Sequence, residues 1–341
     1  MSFKFGIDIE PIKANTNWIG IGKKEIEKKV YPLGKSTPWN WCLEISHGCN
    51  LKCGHCCAEL IKEENKQLIS MKTWEDSLNI INQVSPTVRI ELTGIVGEPT
   101  LHPELLELIK IARQLAPRTQ IQLLTNGINL KNGKYKCKDL LDAGLNVIYI
   151  DQYGTHEEFE KLAEESGYPW YQYYNAPKDA PSPWTYYGSK LKLIALQEEP
   201  SNWPNSRKIS YSLGNWYNNL NWEKAKKFGM KPLEKSLNRR CKLPYVNISV
   251  TANGDYLECC QDGMHITAGK FGNVSDGIEG FKKYWFGKDM QIIRKHLRDK
   301  NREAIKDTCA ICNATFPRGD YIYWKHDDFT KYWNGNTWQV I

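Results

Sequence analysis

From Trp41 onward the chain alternates short apolar runs with amphipathic stretches, which predicts strands and helices in turn. WCLEIS, beginning at Trp41, reads as a strand and leads into a loop crowded with cysteines. Ser70 precedes a helical stretch from Met71 to Val84, in which Trp74, Leu78 and Ile81 recur at helical spacing. Val88 to Leu92 predicts the next strand. Pro103 then opens a helix through Ala116, with Leu105, Leu106, Ile109 and Ile111 covering a broad apolar face. Ile121 to Leu124 is a strand ending at Thr125, Asn126 and Gly127. Lys138 to Ala143, Asn146 to Ile150 and Glu157 to Glu165 continue as helix, strand and helix. Leu191 to Leu196 and Ile209 to Leu213 are further expected strands. Alternation of this kind implies an α/β fold of parallel strands joined by right-handed crossovers.

The flanks read differently. The first forty residues carry a basic stretch, Lys23 to Lys29, and turn formers at Pro32, Gly34 and Pro38, as an arm would. Residues 168 to 225 are rich in Trp, Tyr, Asn and Pro, and some of these rings are expected to line a groove. Composition shifts near Arg239 and Arg240. VNISVTANGDYLECC follows, a hairpin whose turn is Asn253-Gly254-Asp255. The expected division is an arm at 1–40, an α/β body at 41–238 and a smaller unit at 239–341.

Composition narrows the function. With 341 residues, 41% hydrophobic and 25% charged, the chain is an ordinary globular one rather than fibrous or disordered. A net charge of +7, spread along the sequence, is a solvated surface more than a nucleic-acid footprint. No apolar run reaches about 18 residues, so no membrane span is expected and a cytoplasmic location is. Eleven cysteines in such a setting argue for metal or cluster ligation over a disulfide framework.

Cys49, Cys53 and Cys56 stand in one short loop after the first strand, separated by three and two residues. Three thiolates hold three irons of a cubane and leave the fourth iron open to another ligand, unlike a closed four-cysteine site. A zinc knuckle would use the same donors. On this octet the sequence resembles the radical S-adenosylmethionine (SAM) superfamily. The resemblance implies a partial (β/α)6 TIM-like barrel whose open iron chelates the amino and carboxylate groups of SAM. Reductive cleavage there yields a 5′-deoxyadenosyl radical that takes a hydrogen atom from substrate.

Neighbouring segments extend the likeness. Gly94-Ile95-Val96-Gly97-Glu98-Pro99 looks like the family's glycine-glutamate-proline segment, which assigns Gly97, Glu98 and Pro99 to the cofactor's amino group. Two residues separate Thr93-Gly94 from Gly97 here, where the family's commonest form is contiguous. Thr125, Asn126 and Asp151 match cofactor-side positions, although Asn and Gly also favour turns for backbone reasons. His55 occupies the place of an aromatic ring near the adenine. Cys57, Cys42 and Cys137 read as packed thiols, and His47 and His102 as structural histidines.

A second constellation comprises Cys241, Cys259 and the pair Cys309 and Cys312. Four thiolates close a zinc site or fully ligate a cubane. Cys260 competes with Cys259, but strand alternation sends these neighbours to opposite faces, which favours Cys259. The surrounding text resembles the C-terminal auxiliary-cluster domain of the SPASM and twitch groups, so the likeness covers most of residues 41 to 315. It implies two [4Fe-4S] clusters, one binding SAM through three cysteines and one auxiliary with four, together with SAM itself.

The expected activity is a radical SAM oxidoreductase performing a two-electron oxidation of a polar small molecule, such as a sugar, aminocyclitol or nucleotide. The auxiliary cluster would accept an electron, and Asp262, three residues beyond Cys259, is the candidate proton acceptor. An electron donor such as flavodoxin or ferredoxin is the expected partner. The competing enzyme reading is modification of a ribosomally made peptide by thioether formation, crosslinking or epimerisation. A zinc protein binding nucleic acid through basic surface and aromatic rings is the reading from another class, and it requires the Gly97-Glu98-Pro99 segment to be coincidence.

Overall fold

The computed structural model describes residues 38, 40–52, 56–92, 96–153, 155–172, 192–197, 240–241, 243–305, 309–310, 312, 331–333 and 338–340. The arm, most of the aromatic stretch, the strand expected at Ile209 to Leu213, and Cys53 and His55 lie outside these residues.

Strand β1 (Asn40–Leu43) is buried at every position, as a strand covered on both faces must be. After it, β2 (Ser46–His47) pairs antiparallel with β3 (Gln67–Leu68), bracketing the cysteine loop. Helix α1 (Met71–Val84) starts where expected, because Ser70 caps it by accepting from the Thr73 amide at 3.1 Å. Then come β4 (Arg89–Glu91), α2 (Leu105–Leu115), β5 (Gln120–Thr125), α3 (Cys137–Ala143), β6 (Val147–Asp151) and α4 (His156–Glu165). The α4 cap is a reciprocal box between Thr155 and Glu158. Strands β7 (Trp170–Gln172) and β8 (Leu193–Gln197) complete this half.

The C-terminal half adds β9 (Asn247–Val250) and β10 (Tyr256–Leu257), then α5 (Gly277–Trp285) and α6 (Lys288–Arg298). The hairpin forms as its residues predict: Gly254 takes a positive φ of 89°, and the Gly254 amide donates to Thr251 O at 2.9 Å. Farther on, β11 (Lys331–Trp333) and β12 (Trp338–Val340) pair antiparallel.

One eight-stranded sheet runs in the order β10-β9-β1-β4-β5-β6-β8-β7. All its neighbours are parallel except β10 with β9. Strand β9 pairs with β1 in register from Asn40 with Asn247 to Leu43 with Val250. The sheet is therefore continuous across residue 239, and the hairpin bearing Cys259 extends the strand that delivers Cys49. A shared core reinforces this join. Trp41 of β1 stacks on Phe281 of α5 at 5.7 Å between centroids and donates its indole N–H to Ser85 Oγ at 3.1 Å. Among the described residues no helix is long and apolar enough to cross a membrane.

Candidate cofactor and cluster sites

Parallel strands deliver their C-terminal ends to one edge of the sheet, where the connecting loops gather functional groups. The loop after β2 carries Cys49, that after β4 carries Gly97 and Glu98, and those after β5 and β6 carry Asn126 and Asp151. The first two are stitched together. Gly48 and Gly97 form a parallel bridge, and the Glu98 amide donates to Gly48 O at 2.9 Å. A Cβ on Gly97 would lie 1.9 Å from Ser46 O, so only glycine permits this approach.

Glu98 is buried, at 2% exposure, and hydrogen-bonded through both oxygens. Its Oε1 accepts from the Thr100 amide at 3.0 Å, from Thr100 Oγ1, and from Thr125 Oγ1 at 2.7 Å. Its Oε2 accepts from the Asn126 amide at 2.8 Å. A carboxylate has about four lone-pair sites, so Oε2 keeps capacity for one more donor. Asn126 continues the chain of contacts, with Nδ2 2.7 Å from Asn50 Oδ1 and 3.6 Å from Cys49 Sγ. Thus Glu98, Thr125, Asn126 and Cys49 share one hydrogen-bonded network. Pro99 opens a short 3-10 turn behind it.

Asp151 ends β6 close to this network. Burial first, and then the neighbouring Glu98 carboxylate, push its carboxyl up to about 7. The folded protein consequently holds a proton that an unfolded aspartate, with its pKa of about 3.9, releases. The resulting stabilisation is complete below about pH 4 and is lost as pH rises to about 7. Asp151→Asn removes the charged form. Its stability advantage over wild type is therefore expected to grow by ~2 kcal/mol between about pH 5.5 and pH 7.5, then level off. Paired thermal melts across that range check this.

In the second constellation Cys241, Cys259, Cys309 and Cys312 are all buried. Cys241 senses Cys312, and Cys259 and Cys309 each sense Cys241 and one another's neighbourhood. Burial pushes the Cys241 thiol up to about 11 and raises the Cys309 thiol as well, so iron must displace protons on loading. Cys260 hydrogen-bonds with Cys259 and also meets Cys42, Asn247 and Gln261. Both neighbours thus border the thiol set, beyond the end of β10.

Among the described residues, one group of three donors has its ligand atoms all within 4.8 Å of one another: Glu44, His47 and His265. The four buried thiols are a donor set that can ligate a cubane fully.

Arg302 lies buried beside them. It donates to Cys312 O at 3.1 Å and to Arg240 O at 3.4 Å, and its charge lowers the Cys241 and Cys309 thiols against burial. Arg302→Met is expected to cost about 3 kcal/mol, by leaving those carbonyls without their charged donor. It is also expected to shift the potential of a bound cluster to more negative values. Thermal melts and redox titration of the loaded protein read the two effects.

Three further residues singled out in the sequence find their places. Asp262, considered as a proton acceptor, is instead the fully buried cap of its own loop. Its oxygens accept from the Ile266 amide at 2.8 Å, the Thr267 amide at 2.8 Å and Thr267 Oγ1 at 2.7 Å. These three accepted hydrogen bonds hold the turn. His102 is structural, with Nε2 3.1 Å from Ile69 O and Nδ1 accepting from the Glu104 amide at 3.1 Å. His47, however, joins Glu44 and His265 in the donor cluster named above. Neither Glu44 nor His265 has a sequence signal; the pairing of β1 with β9 brings them together.

Comparison with known proteins agrees with this geometry. A family model described as the Radical SAM superfamily matches residues 43–181, and one for an iron-sulfur cluster-binding domain, SPASM, matches 241–313. The 7,8-dihydro-6-hydroxymethylpterin dimethyltransferase of Methanocaldococcus jannaschii is 37% identical over 135 residues, 37% of this chain and 24% of that protein. PqqA peptide cyclase of Gluconobacter oxydans is 30% identical over 115 residues, 34% of this chain and 30% of that one. A probable GTP 3',8-cyclase of Saccharolobus islandicus is 35% identical over 124 residues, 35% and 37% of the two chains. The chain thus spans between 24% and 37% of these curated relatives. The fold is shared with the crystal structure of BtrN in complex with AdoMet and 2-DOIA, at a TM-score of 0.58 and 18% identity, covering 82% of this chain and 94% of that one. These domains imply a SAM-binding [4Fe-4S] cluster, an auxiliary cluster and SAM. The chain carries a radical SAM domain at residues 43–181 and a C-terminal SPASM domain at residues 241–313.

Proposed function

We propose that this radical SAM enzyme is an oxidoreductase that removes two electrons and two hydrogens from a polar small molecule, a sugar, aminocyclitol or nucleotide. The observation that carries the reading is the second thiol set. Four buried cysteines, Cys241, Cys259, Cys309 and Cys312, would ligate a cluster fully, leaving no iron for substrate and suiting it to accept an electron. In support, the solved structure sharing this fold holds AdoMet together with 2-DOIA.

In this reading Cys49, Cys53 and Cys56 hold the catalytic cluster, and the cluster with SAM supplies, when bound, the adenosyl radical that takes a hydrogen atom from substrate. The chain's own groups position the cofactor. Glu98 Oε2, aimed by Thr100, Thr125 and Asn126 acting on the carboxylate, accepts from the amino group. Asn126 fixes the cysteine loop through Asn50, and Asp151 offers a polar contact from the next strand. His55 is assigned to the adenine side by its place in the cysteine motif. A flavodoxin or ferredoxin delivers the reducing electron.

Anaerobic incubation of the reduced protein with SAM and a panel of sugars, aminocyclitols, nucleotides and peptides tests the proposal. A small molecule that accelerates 5′-deoxyadenosine release and leaves two hydrogens lighter is the expected result. The identity to PqqA peptide cyclase supports a second reading, peptide modification. Turnover confined to peptides would replace the first with it.

A further inference from the structure

Three donor side chains that the cluster sites do not use converge between the end of β1, β2 and the loop after β10. Glu44 is fully buried, with Oε1 3.0 Å from His47 Nδ1 and Oε2 2.8 Å from His265 Nε2.

The contact to His265 is a close ion pair. Glu44 Oε2 and His265 Nε2 are both sealed from solvent and, among the described residues, meet only each other. Two buried polar atoms left this way are costly, and one cation between them relieves both. One ligand atom from each of the three residues lies within 4.8 Å of the other two, near enough for one ion to draw them together.

The scaffold around the trio is built to aim it. The Val96 amide donates to Glu44 Oε1 at 3.3 Å, an outer contact of the kind that orients metal-bound carboxylates. His265 adopts a left-handed backbone, φ 56°, which a non-glycine residue keeps only when its surroundings impose it. Asp262 imposes it by accepting from the two residues that follow, Ile266 and Thr267. The role that takes Asp262 away from proton transfer is thus the presentation of His265.

We propose that Glu44, His47 and His265 form a mononuclear site for a divalent first-row transition ion, stapling the cysteine loop to the loop that follows Cys259. Two imidazole nitrogens and a carboxylate suit zinc, which serves as the probe. The site is separate from both clusters, so it stands or falls independently of the proposed oxidation.

The test uses full-length protein, anaerobically reconstituted with both clusters, given one equivalent of zinc sulfate and desalted. About one zinc per chain is expected to remain, with X-ray absorption showing nitrogen and oxygen ligands at about 2.0 Å and no sulfur shell at about 2.3 Å. His265→Ala and Glu44→Gln are expected to cut retained zinc at least tenfold while iron and sulfide stay unchanged. If either variant also loses iron, the absorption spectrum of the wild-type protein decides alone. Absence of retained zinc, zinc bound through sulfur, or a His265→Ala protein holding the same nitrogen and oxygen site would overturn the proposal.

Discussion

A Cys56→Ala protein, reconstituted anaerobically, is expected to retain iron and sulfide for one cluster only and to lose SAM cleavage by roughly a thousandfold or more. The loop supplies three thiols and no spare. Cys57 is adjacent, but its hydrogen bond with Cys56, and burial after that, push its thiol far up and keep it protonated. Cys57→Ala is accordingly the control that should leave both clusters in place. The auxiliary set, built from Cys241, Cys259, Cys309 and Cys312, draws on the other half of the chain and should survive Cys56→Ala. Iron and sulfide analysis beside a 5′-deoxyadenosine assay separates these outcomes.

Gly97→Ala is the second large effect. Its added methyl would stand 1.9 Å from Ser46 O and 3.1 Å from Ser46 C, and backbone cannot rotate aside as a side chain does. The clash forces the Glu98 loop away from the cysteine loop, breaking the Glu98 amide bond to Gly48 O. A loss of ~3 kcal/mol in stability is expected, in the range of overpacked sites. Because Glu98 moves with that loop, SAM affinity should fall at least tenfold as well. Thermal melts and equilibrium binding to the reduced protein check the two parts.

Local rules carried the sequence reading where elements are set by near neighbours. The Ser70 cap and the spacing of Trp74, Leu78 and Ile81 define α1 to the residue. The Asn253-Gly254-Asp255 turn defines the β9–β10 hairpin, since its geometry demands the positive φ that glycine supplies. The cysteine spacing and the Gly97-Glu98-Pro99 segment pointed to the right family because they sit in short loops whose chemistry is local.

Long-range features were not legible. The parallel pairing of β1 with β9 joins segments far apart in sequence, and no periodicity encodes which strand lies beside which. That pairing carries the sheet across residue 239. It also creates the Glu44, His47 and His265 cluster, whose members come from two distant loops. Asp262 shows the opposite failure. Its position relative to Cys259 invited a chemical role, whereas hydrogen bonds to Ile266 and Thr267 give it a structural one. Arg302 carried no motif, and its part beside the thiols follows only from where the 3-10 turn at 302–304 is packed.

The central claim is that one thiol set leaves an iron corner open to SAM and the other does not. Electron paramagnetic resonance of the dithionite-reduced protein, recorded with and without SAM, addresses it directly. Two cluster signals are expected, of which one changes when SAM is added and is missing from Cys56→Ala, while the other stays constant in both. Signals that ignore SAM altogether, or a SAM-responsive signal that persists in Cys56→Ala, would contradict the account.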